Sequence, residues 1–180
     1  MVFVYLADGF EELEAITVIT VMRRAAIDVR TVSVSDSRTV TGSKGIAMES
    51  DILIKDADYG KCEMIVLPGG GQGTANLGKN ALVVSKVKEF AAAGKWVAAI
   101  CAAPAVLGQA GVLAGHEATV YPGGEQQLTG AKVVADKVVV SGNIVTSRGP
   151  GTALDFAFAL TGILKGETAA DKVKSQMLLV

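Results

Sequence analysis

Three observations predict an α/β fold with a mainly parallel sheet wrapped by helices. Strand-like runs rich in Val, Ile and Leu alternate with helix-like runs along the chain, the pattern of a sheet built from crossover units. Half of the residues are apolar and no repeat or linker divides the 180 residues, so the sequence reads as one well-cored domain, residues 1–180. Finally, the apolar stretch Trp96-Val-Ala-Ala-Ile-Cys101-Ala-Ala-Pro104 carries a strand into a cysteine and, three residues later, into a helix-starting proline.

Val2–Leu6 is the first strand. A helix follows over residues 10–26, with Glu11 and Glu12 near its positive N-terminal end. Residues 29–34 form the second strand, and residues 39–54 alternate around a Gly42-Ser43 turn, which predicts a short antiparallel excursion. Met64–Leu67 returns to the parallel sheet and opens into the loop Gly69-Gly70-Gly71. A helix over residues 81–93 leads to the strand 97–100, and Pro104 starts the next helix because a first turn does not need its missing amide. Residues 132–135 and 137–141 read as a hairpin, 144–146 as another strand, and 152–164 as a helix opened by Gly149-Pro150-Gly151.

In hydrolases with a Gly-x-Ser-x-Gly elbow, small residues two places either side of the nucleophile let strand and helix pass closely. Ala99 and Ala103 hold those places around Cys101, which predicts a cysteine nucleophile elbow. A free thiol with a pKa of about 8.5 is only slightly ionised at neutral pH, so a useful nucleophile needs about 3–5 kcal/mol of anion stabilisation. A helix N-terminus supplies about 0.3–1 kcal/mol, and roughly 2 when partly buried, so a second donor is required. The competing reading is a small buried residue at a strand end, the commoner state of a free cysteine.

Ligands of an open parallel sheet bind beyond the carboxyl ends of its strands. Three such ends carry unusual residues: Asp8 to Glu14, Pro68 to Gly71, and Cys101. Glu14 lies beyond the first helical turn among Leu13, Ala15, Ile16 and Val18. Burial there raises a carboxyl pKa and leaves a neutral acid that can donate a hydrogen bond to a thiolate. A solvated helix carboxylate is the alternative. With the acid as donor, the thiol is expected to ionise below neutrality. Gly69 and Gly70, together with the amide of Ala102, offer unobstructed backbone donors for an oxyanion.

Other classes are disfavoured. Gly73-Thr-Ala-Asn-Leu-Gly78-Lys79 approaches a phosphate-binding loop, but Asn80 replaces the required Ser or Thr, so nucleotide hydrolysis is rejected. With 17 basic and 18 acidic residues and no basic stripe, no nucleic-acid partner is expected. One histidine and two cysteines make no convincing zinc set, so no metal is expected. The longest nearly uncharged apolar run, 96–107, is too short to cross a bilayer. Cys62 and Cys101 make no disulfide framework and no basic-then-apolar leader precedes Val2, which predicts a cytoplasmic protein.

Glu11-Glu-Leu-Glu14, Leu67-Pro-Gly-Gly70, Ala99-Ile-Cys101-Ala-Ala-Pro104 and Thr146-Ser-Arg-Gly-Pro-Gly-Thr152, in this order and spacing, resemble the DJ-1/PfpI (ThiJ) superfamily and specifically its DJ-1 branch. The likeness covers essentially the whole chain. It implies a flavodoxin-like three-layer sandwich, usually a homodimer, with Cys101 as elbow nucleophile and Glu14 as its protonated partner. In it, Gly69 and Gly70 supply backbone amides. The resemblance also implies glyoxalase or deglycase activity on methylglyoxal, glyoxal or their adducts, with no dissociable cofactor. Its alternative is a redox-sensing, chaperone-like stress protein whose Cys101 is oxidised to a sulfinic acid.

Two departures matter. Tyr121 stands where the branch's best-known member has a histidine, so proton transfer falls on Glu14. Ala102 follows the cysteine where protease-like members carry histidine, which argues against peptidase activity. Arg24 and Lys44 match basic positions near the family's dimer interface, with ordinary surface charge as the alternative, and Arg148 is a further pocket candidate. His116 reads as a solvated loop residue.

Overall fold

Val2 and Val4 face one side of the first strand, β1 (Val2–Leu6), and Phe3 and Tyr5 the other, and all four are buried. A strand covered on both faces belongs to the middle of a parallel sheet. The computed structural model describes residues 1–179. After β1 come α1 (Glu12–Arg24), β2 (Val29–Ser33), the hairpin β3 (Thr39–Thr41) and β4 (Ala47–Glu49), β5 (Ile52–Leu53) and β6 (Met64–Leu67). Then follow α2 (Gly71–Lys79), α3 (Ala81–Ala92), β7 (Trp96–Ile100), α4 (Pro104–Ala110), β8 (Glu117–Ala118) and β9 (Lys132–Val133). The described chain closes with β10 (Val138–Ser141), β11 (Ile144–Ser147), α5 (Ala153–Lys165) and α6 (Glu167–Gln176).

The main sheet runs β10-β11-β7-β6-β1-β2-β5, with every neighbouring pair parallel but β10 and β11. Val18 and Met22 of α1, Phe156 and Leu160 of α5 and Val173 of α6 cover one face. Leu77 of α2, Val87 and Phe90 of α3 and Leu107 of α4 cover the other. Each such burial contributes about 1.5–3 kcal/mol. The result is the flavodoxin-like three-layer sandwich. The chain builds outward from β1 through β2 to β5 on one side and from β6 through β7 to β11 on the other. Its switch point therefore lies between β1 and β6, and clefts form beyond strand ends at such points.

Several local expectations are corrected. Residues 71–79 form helix α2 instead of an open loop. Glycines lower helix propensity, but a Cβ at Gly73 would come within 2.7 Å of the Phe10 backbone, so Gly73 permits a close approach of α2 to the turn after β1. Asn80 ends α2 and caps α3, its side chain accepting from the amides of Leu82 (3.0 Å) and Val83 (3.2 Å). The expected 132–141 hairpin is absent: β9 pairs with β8, and β10 turns through Gly142 (φ +59) to pair with β11. Helix α6 carries little apolar periodicity in sequence, because only Ala170 and Val173 mark its buried side. His116 is half-buried, with Nδ1 2.9 Å from Ser141 O, rather than solvated.

Candidate active site

Strands β1, β6 and β7 lie side by side, so the segments leaving their carboxyl ends meet. Cys101 occupies the turn from β7 into α4 with φ +64, a left-handed conformation that costs a residue bearing Cβ about 1–2 kcal/mol. Two neighbouring segments hold it there. Its amide donates to Ser147 O (2.9 Å), and its carbonyl accepts from Tyr121 N (2.8 Å). Ala99 and Ala103 are fully buried, as the close passage of an elbow requires. Cys101 itself retains 9% exposure.

Glu14 sits in the first turn of α1 and is completely buried. Its Oε2 accepts from Gly69 N at 2.7 Å, whereas its buried Oε1 has no conventional hydrogen-bond partner. The Cys101 thiol interacts with this carboxyl across the strand ends. Gly69 makes the meeting possible: a Cβ there would lie 2.6 Å from Cys101 Cβ and 2.7 Å from Glu14 Oε2. Gly70 follows at φ +89, where a Cβ would come within 2.2 Å of Gly9 O. Only glycine fits either position.

Burial pushes the Glu14 carboxyl up to about 7, against the Gly69 amide and the thiol, which lower it, while the nearby Glu11 charge adds to the rise. The Cys101 thiol is pushed up to about 12, first by burial and then by the Glu14 charge and hydrogen bond. The amides of Gly70 and Ala102 oppose that rise. Two acids this close share a proton: one leaves the pair near 7 and the other is held to about 12. The expectation of a thiol ionising below neutrality is thus corrected to a joint ionisation near neutrality, because burial and a facing carboxylate oppose charge on sulfur.

The remaining candidates separate clearly. Gly70 and Ala102 direct amides at the sulfur, but the Gly69 amide engages Glu14, so it is not free to serve an oxyanion. Tyr121 abuts Cys101 through its backbone while its ring is exposed, and Arg148 follows Ser147 with Nη1 donating to Ala135 O at 3.2 Å. Both line an open cleft of about 310 Å³ with Lys137 and Pro150. Arg24 is exposed at the far end of α1 from Glu14, and Lys44 is exposed near the tip of the β3–β4 hairpin, so neither is brought to the thiol within one chain. Glu12 is buried and accepts from Lys44 N (2.6 Å) and Ser43 Oγ (3.0 Å), tying that hairpin to α1. Sequence reasoning missed the bracing by Ser147, for which no local signal exists. Among the described residues no cluster of three metal-ligating side chains occurs, and no helix is long and apolar enough to cross a membrane.

Protein DJ-1 homolog A of Arabidopsis thaliana is 41% identical over 181 residues, covering 99% of this chain and 46% of that protein. The chain thus spans just under half the length of that relative. The Glutathione-independent glyoxalase DJR-1.2 of Caenorhabditis elegans is 29% identical over 170 residues, covering 94% of this chain and 90% of that protein. The solved structure of oxidized Toxoplasma gondii DJ-1 superposes with a TM-score of 0.93 at 36% identity, covering 98% of this chain and 97% of that one. Residues 1–162, which include all three of the converging strand ends, match one family throughout, and the chain belongs to the DJ-1/PfpI family, in its DJ-1-like branch.

Proposed function

We propose that the chain is a cysteine-dependent, cofactor-independent enzyme of the glyoxalase or deglycase type, acting on methylglyoxal, glyoxal or their adducts. The observation that carries this reading is the buried Glu14 carboxyl, one oxygen unpartnered, set against the Cys101 thiol at a strained elbow. The thiolate adds to the aldehyde carbon, and the resulting oxyanion takes the proton that Glu14 holds, giving a hemithioacetal. Glu14, now a carboxylate, removes the carbon-bound proton to give an enediolate and returns it to the neighbouring carbon, while the hydroxyl proton passes from the first oxygen to the oxygen on that neighbouring carbon. The thioester so formed is hydrolysed by water to a hydroxy acid, which frees the thiol. The amides of Gly70 and Ala102 support the anionic stages. The relative DJR-1.2, named a glutathione-independent glyoxalase, supports the assignment. Purified protein is expected to convert methylglyoxal to lactate without glutathione, and Cys101→Ser and Glu14→Ala each to abolish this; an inert wild type overturns the reading.

A redox-sensing, stress-protective role for the same sulfur is favoured by its partial exposure beside the two amides, which suit sulfinate oxygens. Mild peroxide should then add two oxygens to Cys101 before Cys62, which is 1% exposed and donates its thiol proton to Met64 O. Two unpaired thiols suit a reducing cytoplasm. Leu13 and Ile16, 63% and 43% exposed on α1, suit a homodimer contact; a monomer at sedimentation equilibrium would count against it.

A further inference from the structure

We propose that Glu11 is a positioning residue for the Glu14–Cys101 pair, fixing the first turn of α1 against the Gly69 turn and supplying a negative charge that keeps the shared proton in place. The inference rests on the acid–thiol reading above and concerns a residue that does not itself touch sulfur or substrate.

Three hydrogen bonds form a closed brace. Glu11 is the N-cap of α1, and its Oε2 accepts from Glu14 N at 2.8 Å. Its own amide donates to Gly69 O at 3.0 Å, and the Gly69 amide returns to Glu14 Oε2 at 2.7 Å. One residue thus locks both the backbone that carries the acid and the turn that passes between acid and thiol. N-caps are usually Ser, Thr, Asp or Asn, whose short side chains reach the amide with less ordering. A longer Glu at this place brings a carboxylate to the buried acid where a neutral cap would serve the helix equally. The groups facing the Glu14 carboxyl are the Gly69 amide from the turn after β6, the Cys101 thiol from the elbow after β7, and Glu11 from its own helix cap. No cation is among them, so the Glu11 charge opposes a second negative charge within the brace and adds to the rise that burial causes in Glu14.

Cap and charge separate by substitution. Glu11→Gln keeps an acceptor for the Glu14 amide and removes the charge, whereas Glu11→Asp keeps both. With the rate of Cys101 alkylation followed against pH, Glu11→Gln is expected to move the midpoint down by roughly half a pH unit, less in high salt, while Glu11→Asp stays at the wild-type midpoint. A purely structural cap predicts slower alkylation with no midpoint change in either variant. An unmoved midpoint in Glu11→Gln, or an equal movement in Glu11→Asp, overturns the proposal. Glu14→Gln run alongside distinguishes the two levels. If it moves the profile and Glu11→Gln does not, only the role of Glu11 falls; if neither does, the acid–thiol pair falls with it.

Discussion

Glu14→Gln removes the acid from the site while keeping its shape, and the structure sets the size of two effects. In the unfolded chain this carboxyl loses its proton near 4.5, and in the folded protein burial holds the proton to about 7. Between those values the native state binds one proton more than the unfolded state, so stability falls as pH rises. The contribution is complete below the unfolded value and gone above the folded one, a loss of about 3 kcal/mol. Glutamine does not titrate, so urea unfolding should show the variant gaining about 3 kcal/mol relative to wild type between about pH 5 and about pH 8. Ultraviolet absorbance of the thiolate then locates the charge. Between about 7 and about 12 the pair holds one proton. If the proton rests on Glu14, wild-type thiolate appears near 7, and Gln raises that midpoint by about one pH unit because a neutral amide is a weaker donor to an anion than a carboxylic acid. A wild-type thiolate that appears only near 12, and that Gln shifts downward, would refute the reasoning.

Gly69→Ala places a methyl carbon 2.6 Å from Cys101 Cβ and 2.7 Å from Glu14 Oε2; aldehyde turnover is expected to fall by about 100-fold or more as the pair is prised apart, with circular dichroism retained, and undiminished turnover would contradict the geometry. Cys101→Gly relieves the positive φ that Cys101→Ala keeps, so the glycine variant should be more stable than the alanine one by about 1 kcal/mol in denaturant unfolding, and equal stabilities would show that the elbow stores no strain.

The legible parts of the fold are those where a local pattern and the tertiary outcome agree. β1, β6 and β7 declare themselves as apolar runs because both of their faces are covered, and Ala99, Cys101 and Pro104 announce the elbow through size and a missing amide. The Glu14–Cys101 encounter is legible from topology, since both follow strands of one parallel sheet. Other features depend on contacts that no local stretch contains. The glycines of α2 look like a loop until Phe10 is seen packed against Gly73. The upward push on the thiol needs burial and a facing carboxylate, neither of which a cysteine's sequence neighbours report. In sequence the bare amide of Gly69 reads as free for an oxyanion, while in the fold the acid opposite already accepts its hydrogen.

An incidental thiol would not sit in such surroundings. Left to stability alone, the turn after β7 would carry glycine at φ +64, and the buried position after β1 would carry an apolar residue in place of a carboxyl with an unpartnered oxygen. The strain costs about 1–2 kcal/mol, and the buried acid costs about 3 kcal/mol once the pair ionises. Both fall at the ends of strands that flank β6, β7 on one side and β1 on the other, close to the switch point of the sheet, where the strands themselves are built mainly of buried apolar residues. Strained backbone and buried titratable groups concentrate where function requires them. The same two features meet at one point: the strained turn sets the sulfur against the Glu14 carboxyl with part of Cys101 still exposed, and the burial keeps a transferable proton in the pair at neutral pH.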